Sequence, residues 1–177
     1  MIGVIIGCEI AFWVLILAGL ACRYLLGLKK AGIALLWTTP VVDIVLLAVT
    51  VIHLRQGAEA TFAHGLAAVY IGVSIAFGHS MIRWADTRFA HKFAGGAAPA
   101  PKPKYGREHA RLERIGWLKH LLAWAIGCLC LGGMIYLVDD SGGTEPLIQM
   151  IRLWSIVLGI DFLISFSYTL SPKKAKR

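Results

Sequence analysis

Five long apolar runs constrain the fold of this chain more than any other feature. They cover about residues 2–26, 31–54, 60–84, 117–138 and 147–170. Each run has the roughly 20 residues that a helix needs to cross a ~30 Å hydrocarbon core. The 177-residue chain is 58% hydrophobic and only 16% charged, which is too apolar for a soluble domain of this size. We therefore predict an all-α fold, a single transmembrane domain over 1–177 built as a polytopic bundle of five spans.

The positions of the basic residues predict the orientation of these spans. Lys and Arg follow the first and third runs and fill the C-terminal tail, whereas the links after the second and fourth runs have no strong positive bias. Since cytoplasmic loops are enriched in Lys and Arg, this distribution predicts an N-out/C-in topology. No basic segment precedes the first run, so we expect that helix to be retained and not cleaved as a signal peptide.

The third run has small residues at every fourth position, and we expect it to be the central helix. These residues are Ala68, Gly72, Ala76 and Ser80. In a membrane, small residues let neighbouring helices approach closely, where lipid supplies no hydrophobic drive to associate. The same face is suited to packing inside the bundle, to a homodimer or to a contact with another membrane protein.

A basic cytoplasmic linker, residues 93–116, is expected between the third and fourth spans. The formal net charge of the chain is +8, and much of it lies at 102–119 and in the C-terminal tail. Charge in these positions is explained by orientation in a bilayer, and the 102–119 segment is suited to anionic lipid headgroups or to a partner protein. No soluble segment is long enough for a separate nucleic-acid-binding domain, so we expect no nucleic-acid partner.

The sequence has no enzyme or metal signature. It lacks a G-x-S-x-G nucleophile elbow, an H-E-x-x-H helix and a P-loop. Its four cysteines, Cys8, Cys22, Cys128 and Cys130, lie inside apolar runs without a metal-type CxxC pair. We expect them to be buried small hydrophobic residues and the protein to be non-enzymatic.

Several segments carry a resemblance to a known family. They are CEIAFW at 8–13, TPVVD at 39–43, GLAAVYIGVSIAFGHSMIRWAD at 65–86, KPKYGREHARLER at 102–114 and GIDFLISFSYTL at 159–170. Together they resemble the YmcC-type family of small bacterial integral membrane proteins over nearly the whole chain. The resemblance implies a multi-pass protein of the bacterial plasma membrane, and it implies no catalytic residues.

Ionisable residues inside the spans are the candidate functional groups, because a charge at mid-bilayer costs at least a few kcal/mol unless it is paired or hydrated. Glu9 and Arg152 lie at matching depths, each about 9 Å from the outer end of its helix. We expect them to pair. This pair would either lock the first helix to the fifth or open on protonation or substrate binding.

Two aspartates lack an obvious basic partner at their depth. Asp43 lies near the middle of the second helix, close to Pro40, and Asp161 lies in the inner half of the fifth. Each is either satisfied locally, in a packing role, or serves as a proton or cation site. For Asp161 we expect His79 to be the partner.

Histidines near the helix ends give a second hypothesis. His53 and His64 are expected at the outer ends of the second and third helices, and His79 and His120 at the inner ends of the third and fourth. Two histidine pairs at opposite faces are the arrangement of a membrane cytochrome with two haem b groups.

Three functions therefore stay open at the level of the sequence. The first is a cofactor-free carrier of a small solute or proton that uses the intramembrane carboxylates. The second is an electron-transfer protein with haem b bound by the histidine pairs. The third is an assembly or regulatory subunit of a membrane complex, held through the 93–116 linker.

Overall fold

The structure, a computed structural model, describes residues 2–93, 95–101, 103–138 and 143–171. Within the helices, the side chains at positions 2, 4, 5, 6, 8, 9, 63 and 93 lie outside this description. The described residues form five α-helices and no strand. The helices are α1 (Ile2–Tyr24), α2 (Lys29–Arg55), α3 (Phe62–Phe93), α4 (Gly106–Val138) and α5 (Glu145–Leu170). The predicted all-α class is confirmed.

Four segments of these helices are long and apolar enough to cross a membrane: Lys29–Arg55, His64–Lys92, Gly106–Val138 and Glu145–Leu170. In α1 the corresponding apolar segment among the described residues is shorter, Ile10–Tyr24. A multi-pass membrane protein is therefore confirmed. Crossing by all five helices and the N-out/C-in orientation stay predictions.

Helix α4 starts earlier than the apolar run that marks it in the sequence. It begins at Gly106, whose φ of 75° is in the left-handed region that favours glycine. Glu108 follows in the first turn, where a carboxylate interacts favourably with the positive end of the helix dipole. The charged half of the predicted linker is thus the first part of a long helix, and α3 likewise continues past residue 84 to Phe93.

The chain forms two compact units. The first unit comprises residues 1–71 and 126–150, so it contains α1, α2 and parts of the other three helices. The second unit comprises residues 72–125 and 151–177, which include the remaining parts of α3, α4 and α5.

In the first unit, α1 and α2 pack against each other as an antiparallel pair. They approach each other closely at Gly19 and Gly32. A Cβ atom added to Gly32 would lie 2.7 Å from the carbonyl oxygen of Gly19 and 2.7 Å from Cβ of Arg23. Glycine at these positions therefore allows a backbone contact that no side chain would permit.

The first unit also uses the small residues that precede the middle of α3. Ala67 and Ala68 are almost fully buried, and Gly65 lies directly against the side chain of Met150. The connection before α3 is fixed by a hydrogen bond of 2.8 Å from the amide of Ala60 to the carbonyl of Gly143. The predicted small-residue face thus contributes, at Ala68, to packing within this unit.

The second unit is held by contacts between α4 and α5. Rings of Trp117, Phe162 and Phe166 pack with centroid distances of 4.3 to 5.4 Å, and most of these pairs are edge-to-face. The indole of Trp117 donates to the carbonyl of Leu158 at 3.3 Å. One turn before Trp117, Arg114 donates to the hydroxyl of Thr169 at 2.8 Å. The order of these contacts shows that α4 and α5 run antiparallel here.

Candidate functional site

A line of buried polar atoms on α2 is the first candidate site. Asp43 is 1% exposed and Thr50 is fully buried. Among the described residues, Asp43 Oδ2, Thr50 Oγ1 and His53 Nδ1 are buried atoms without a hydrogen-bond partner. Asp43 and Thr50 are seven residues apart, about two helical turns, so they lie on nearly the same face of α2.

Pro40 lies one turn before Asp43, and its effect on the helix is compensated locally. Proline has no amide hydrogen, so the carbonyl of Leu36 loses its usual donor. The hydroxyl of Thr39 donates to this carbonyl at 2.8 Å, and Thr38 donates to Leu35 at 2.6 Å. Both threonines are therefore engaged with backbone, and their bonds go to carbonyls and not to Asp43.

His53 and His64 come together at one end of the first unit. Their ring centroids are 6.2 Å apart and the rings are nearly perpendicular, at 79°. The amide of Thr61 donates to Nδ1 of His64 at 3.0 Å, directly before the first turn of α3. His64 therefore takes the part that a glutamate plays in a capping box, accepting from the backbone at the helix start.

The second candidate site is a hydrogen-bonded chain between α4 and α5. Nδ1 of His120 lies 2.8 Å from Oδ2 of Asp161. The indole of Trp154 donates to Nε2 of His120 at 3.0 Å. The hydroxyl of Ser165, itself buried, is 3.5 Å from Oδ1 of Asp161. All four residues belong to the second unit.

These contacts determine the protonation pattern of His120. An indole N–H can only donate, so Nε2 of His120 must accept and carries no hydrogen. Nδ1 then carries the hydrogen and donates to the carboxylate of Asp161. Each imidazole nitrogen thus has a partner of the right kind, and the chain is a fixed connection between α4 and α5.

We expect His120→Leu to lower the free energy of unfolding by about 1–2 kcal/mol, because it leaves both Asp161 and Trp154 without their partner inside the membrane. The double variant His120→Leu/Asp161→Leu is expected to recover part of this loss, since replacing both polar partners removes the unpaired group. Denaturation of the full chain in mixed detergent micelles measures both effects.

His109→Leu serves as a matched control. It removes another histidine of α4, which lies 3.8 Å from the half-exposed Glu113, a pair of a kind that contributes little. The ring of His109 also packs edge-on against Tyr168, an apolar contact that leucine keeps in part. An His120→Leu variant as stable as His109→Leu would contradict the structural role of the chain.

A comparison with curated proteins identifies a relative of this chain. The chain is 49% identical over 172 residues to a protein of Bacillus subtilis (strain 168) named "Uncharacterized membrane protein YmcC", an alignment that covers 97% of this chain and 92% of the relative. The chain belongs to the YmcC family. No family model and no solved structure matches it.

The candidate residues of this YmcC-family chain lie in both units. Asp43, His53 and His64 are in the first unit, and the other histidines and Asp161 are in the second. Asp161 bonds to His120, whereas the expected partner His79 accepts from Arg83 at 2.9 Å. The inner-half aspartate therefore pairs with the histidine of α4 and not with that of α3.

The predicted pair between Glu9 and Arg152 stays a prediction. The side chain of Glu9 lies outside the described residues. Arg152 lies on α5, in the part of the helix that belongs to the second unit, and its side chain is exposed.

In the YmcC-family chain, axial ligation of haem by the histidine pairs stays a prediction, and three of these histidines use a ring nitrogen in a hydrogen bond. A haem iron needs the lone pair of a ring nitrogen, usually Nε2. Nε2 of His120 and Nε2 of His79 each accept a hydrogen bond from a neighbouring side chain. In His64 the nitrogen that accepts is Nδ1, so a neutral ring carries its hydrogen on Nε2.

Three residues of these sites were not identified from the sequence. The sequence could have identified Thr50 by its spacing, because it lies two turns after Asp43 on the same helical face. Trp154 is one of six tryptophans in the chain, and Ser165 is one of several serines in the fifth run. Their role follows from the rotation of α4 and α5 about their axes, which hydropathy does not report.

Proposed function

We propose that this protein is a non-enzymatic, multi-pass protein of the bacterial plasma membrane that carries protons, with Asp43 as the group that takes up and releases the proton. The proposal rests on one observation, the buried carboxyl of Asp43 whose Oδ2 has no hydrogen-bond partner among the described residues. The chain is a membrane protein of the YmcC family, and a carboxyl group inside a membrane helix can bind and release a proton.

A buried, unbonded polar atom is costly, and this is why it supports a function. Most buried polar atoms in proteins have a hydrogen-bond partner, and a functional role is one of the explanations for an exception. Ionisable residues within transmembrane helices are likewise typical of ion pathways and proton relays. In Asp43 both features occur together, and its neighbour Thr39 bonds to backbone instead of to the acid.

Asp161 differs from Asp43 in this respect. Its carboxylate oxygen accepts from His120, and the second oxygen faces the hydroxyl of Ser165. An acid with its bonds made is suited to holding two helices together. Of the two intramembrane aspartates, Asp43 is therefore the one we assign to transport.

The spacing of the unbonded atoms favours protons over metal cations. Asp43 and Thr50 are about 10 Å apart along α2. A bound cation such as Ca²⁺ holds its oxygen ligands within about 2.6 Å, so these groups cannot share one ion. Protons, in contrast, can pass between separate groups through bridging water. His53, three residues beyond Thr50, places an imidazole at one end of the same series.

A flux measurement on the full chain tests the proposal. The protein is reconstituted into liposomes that contain a pH-sensitive dye, and a potassium diffusion potential is imposed with valinomycin. We expect the interior to acidify faster than in protein-free liposomes. Replacing external sodium with choline should leave this rate unchanged, since the carried species is the proton.

Two results would contradict the proposal. One is an acidification rate equal to that of protein-free liposomes prepared from the same lipid. The other is a rate that depends on sodium, which would indicate that the transported ion is a metal cation.

A further inference from the structure

Helix α3 is longer than the hydrocarbon core that it crosses. Its apolar segment His64–Lys92 has 29 residues, which correspond to about 43 Å against a core of ~30 Å. Residues 64–82 contain no Asp, Glu, Lys or Arg, whereas Arg83, Arg88 and Lys92 follow within ten residues. The excess length is therefore at the C-terminal end, which lies at the level of the lipid headgroups.

An exposed strip runs along this end of α3. It consists of His79, Arg83, Trp84, Thr87 and Arg88, and we call it the arginine strip. All five residues are exposed, with Trp84 at 55%. They form two rows, one of His79, Arg83 and Thr87 and one of Trp84 and Arg88, which together cover about half of the helix circumference.

The two guanidinium groups of the arginine strip are held without a negative charge. Arg83 donates to Nε2 of His79 at 2.9 Å, and the guanidinium carbon of Arg88 lies 4.5 Å from the centroid of the Trp84 ring. Among the described residues, neither arginine forms a salt bridge with a carboxylate. Both keep N–H donors for an anion, and guanidinium groups bind phosphate in a bidentate manner.

The surface next to the arginine strip is apolar. Ile75 and Met81 are exposed on the same helix, at 58% and 60%. Ile75 precedes His79 by four residues, and Met81 precedes Trp84 by three, so the apolar and cationic residues form continuous rows. A ligand of this surface has a hydrocarbon part beside Ile75 and Met81 and an anionic part beside the arginines. An indole at the boundary is typical of a membrane interface.

We propose that the arginine strip binds the phosphate headgroup of an anionic phospholipid, with its two acyl chains along Ile75 and along Met81. The positive charge of the strip complements the negative headgroup. The strip lies at the end of a membrane-crossing helix, where phospholipid headgroups are present. This site lies in the second unit and does not depend on the proposed proton transport. It also differs from the 102–119 segment, which the sequence predicts to bind anionic lipid headgroups.

Lipid retention by the full chain tests the site. The detergent-purified protein is equilibrated with equimolar phosphatidylglycerol and phosphatidylcholine of the same acyl chains, and bound lipids are counted by native mass spectrometry. We expect the protein to retain phosphatidylglycerol preferentially. A basic residue near a membrane surface contributes about 1 kcal/mol, so Arg83→Gln and Arg88→Gln should each lower the preference about fivefold. The double variant should lower it by about 30-fold at most.

The control is Lys29→Gln/Lys30→Gln, which removes two exposed charges at the start of α2. It should lower the preference clearly less than the double variant Arg83→Gln/Arg88→Gln does. The variant Arg83→Lys/Arg88→Lys keeps the charge and loses the planar fork, so it should show an intermediate preference. This second variant tests the site even where the glutamine variants fail to give monodisperse protein.

Three outcomes would overturn the proposal. The wild-type protein could show equal retention of the two lipids, or the lysine control could lose the preference as fully as the arginine variants. Displacement of phosphatidylglycerol by inorganic phosphate alone would show that the site takes free phosphate and not a lipid.

Discussion

Asp43→Asn is expected to abolish proton transport by the reconstituted protein, reducing acidification to the rate of protein-free liposomes. An amide of the same shape fills the same space in α2 but does not gain and lose a proton in the accessible pH range. The loss should therefore occur without a change in the fold. Fluorescence of the enclosed dye gives the rate, and size-exclusion chromatography confirms the oligomeric state of each variant.

The same substitution is expected to stabilise the protein, by about 1 kcal/mol or more in the free energy of unfolding. A buried carboxyl with an unbonded oxygen is costly in either protonation state, and the cost is larger when it is charged. Asp43→Asn removes the part of this free-energy cost that comes from the charged carboxylate, which is the larger part. Loss of activity together with a gain of stability is the pattern of a functional residue kept at the expense of the fold.

Glu59→Gln is the matched control for Asp43→Asn. It converts another carboxyl to an amide, at an exposed position in the connection between α2 and α3. We expect it to change neither the flux nor the stability. An Asp43→Asn variant that transports protons at the wild-type rate would exclude Asp43 as the transporting group, whatever its effect on stability.

Gly32→Leu is expected to destabilise the protein by at least about 2 kcal/mol, because any side chain at this position meets neighbouring backbone. Its Cβ would lie 2.7 Å from the carbonyl oxygen of Gly19, and backbone cannot move aside as the end of a flexible side chain does. Helices α1 and α2 would have to separate. The expected result is a lower midpoint of thermal unfolding in detergent and a lower yield of monodisperse protein.

Gly7→Leu separates this effect from the general effect of adding leucine. Gly7 lies on α1, and a Cβ atom there would have no neighbour within 4 Å. The variant should therefore keep the stability of the wild type. Equal stability of Gly32→Leu and Gly7→Leu would show that the close contact between α1 and α2 contributes nothing.

The helices themselves were predictable because bilayer thickness sets a minimum length of apolar sequence. This rule marks only the part of a helix inside the hydrocarbon, however, so it places the start of the fourth span near Trp117. The structure begins α4 at Gly106, since Glu108 and the neighbouring polar residues continue the helix beyond the membrane. Polar helical turns outside the hydrocarbon carry no hydropathy signal.

The partner of Asp161 illustrates a second limit of the sequence. Counting residues places His79 and His120 at a similar depth, so depth alone does not distinguish them. The choice depends on which face each helix turns toward α5, and that rotation is determined by packing of Trp117 against Phe162 and Phe166. Sequence periodicity gives little help, because both lipid-facing and buried positions of a membrane helix are apolar.

Asp43 was identified as a candidate from the sequence because a carboxyl within an apolar run is unusual. The alternatives for it were local bonding by nearby donors or a role in transport. What the sequence could not give was the bonding of Thr38 and Thr39, whose hydroxyls bond to the carbonyls of Leu35 and Leu36. Only the structure shows that the nearest hydroxyl donors are already used.

The close contact at Gly19 and Gly32 also has a consequence for biogenesis. Every residue that forms it lies within the first 55 residues, so the contact is complete once α2 has been synthesised. At about 5–20 residues per second, the ribosome needs several more seconds to add the other three helices. The α1–α2 pair can therefore assemble in the bilayer as a helical hairpin, and its packing surface is complete before the other three helices are inserted.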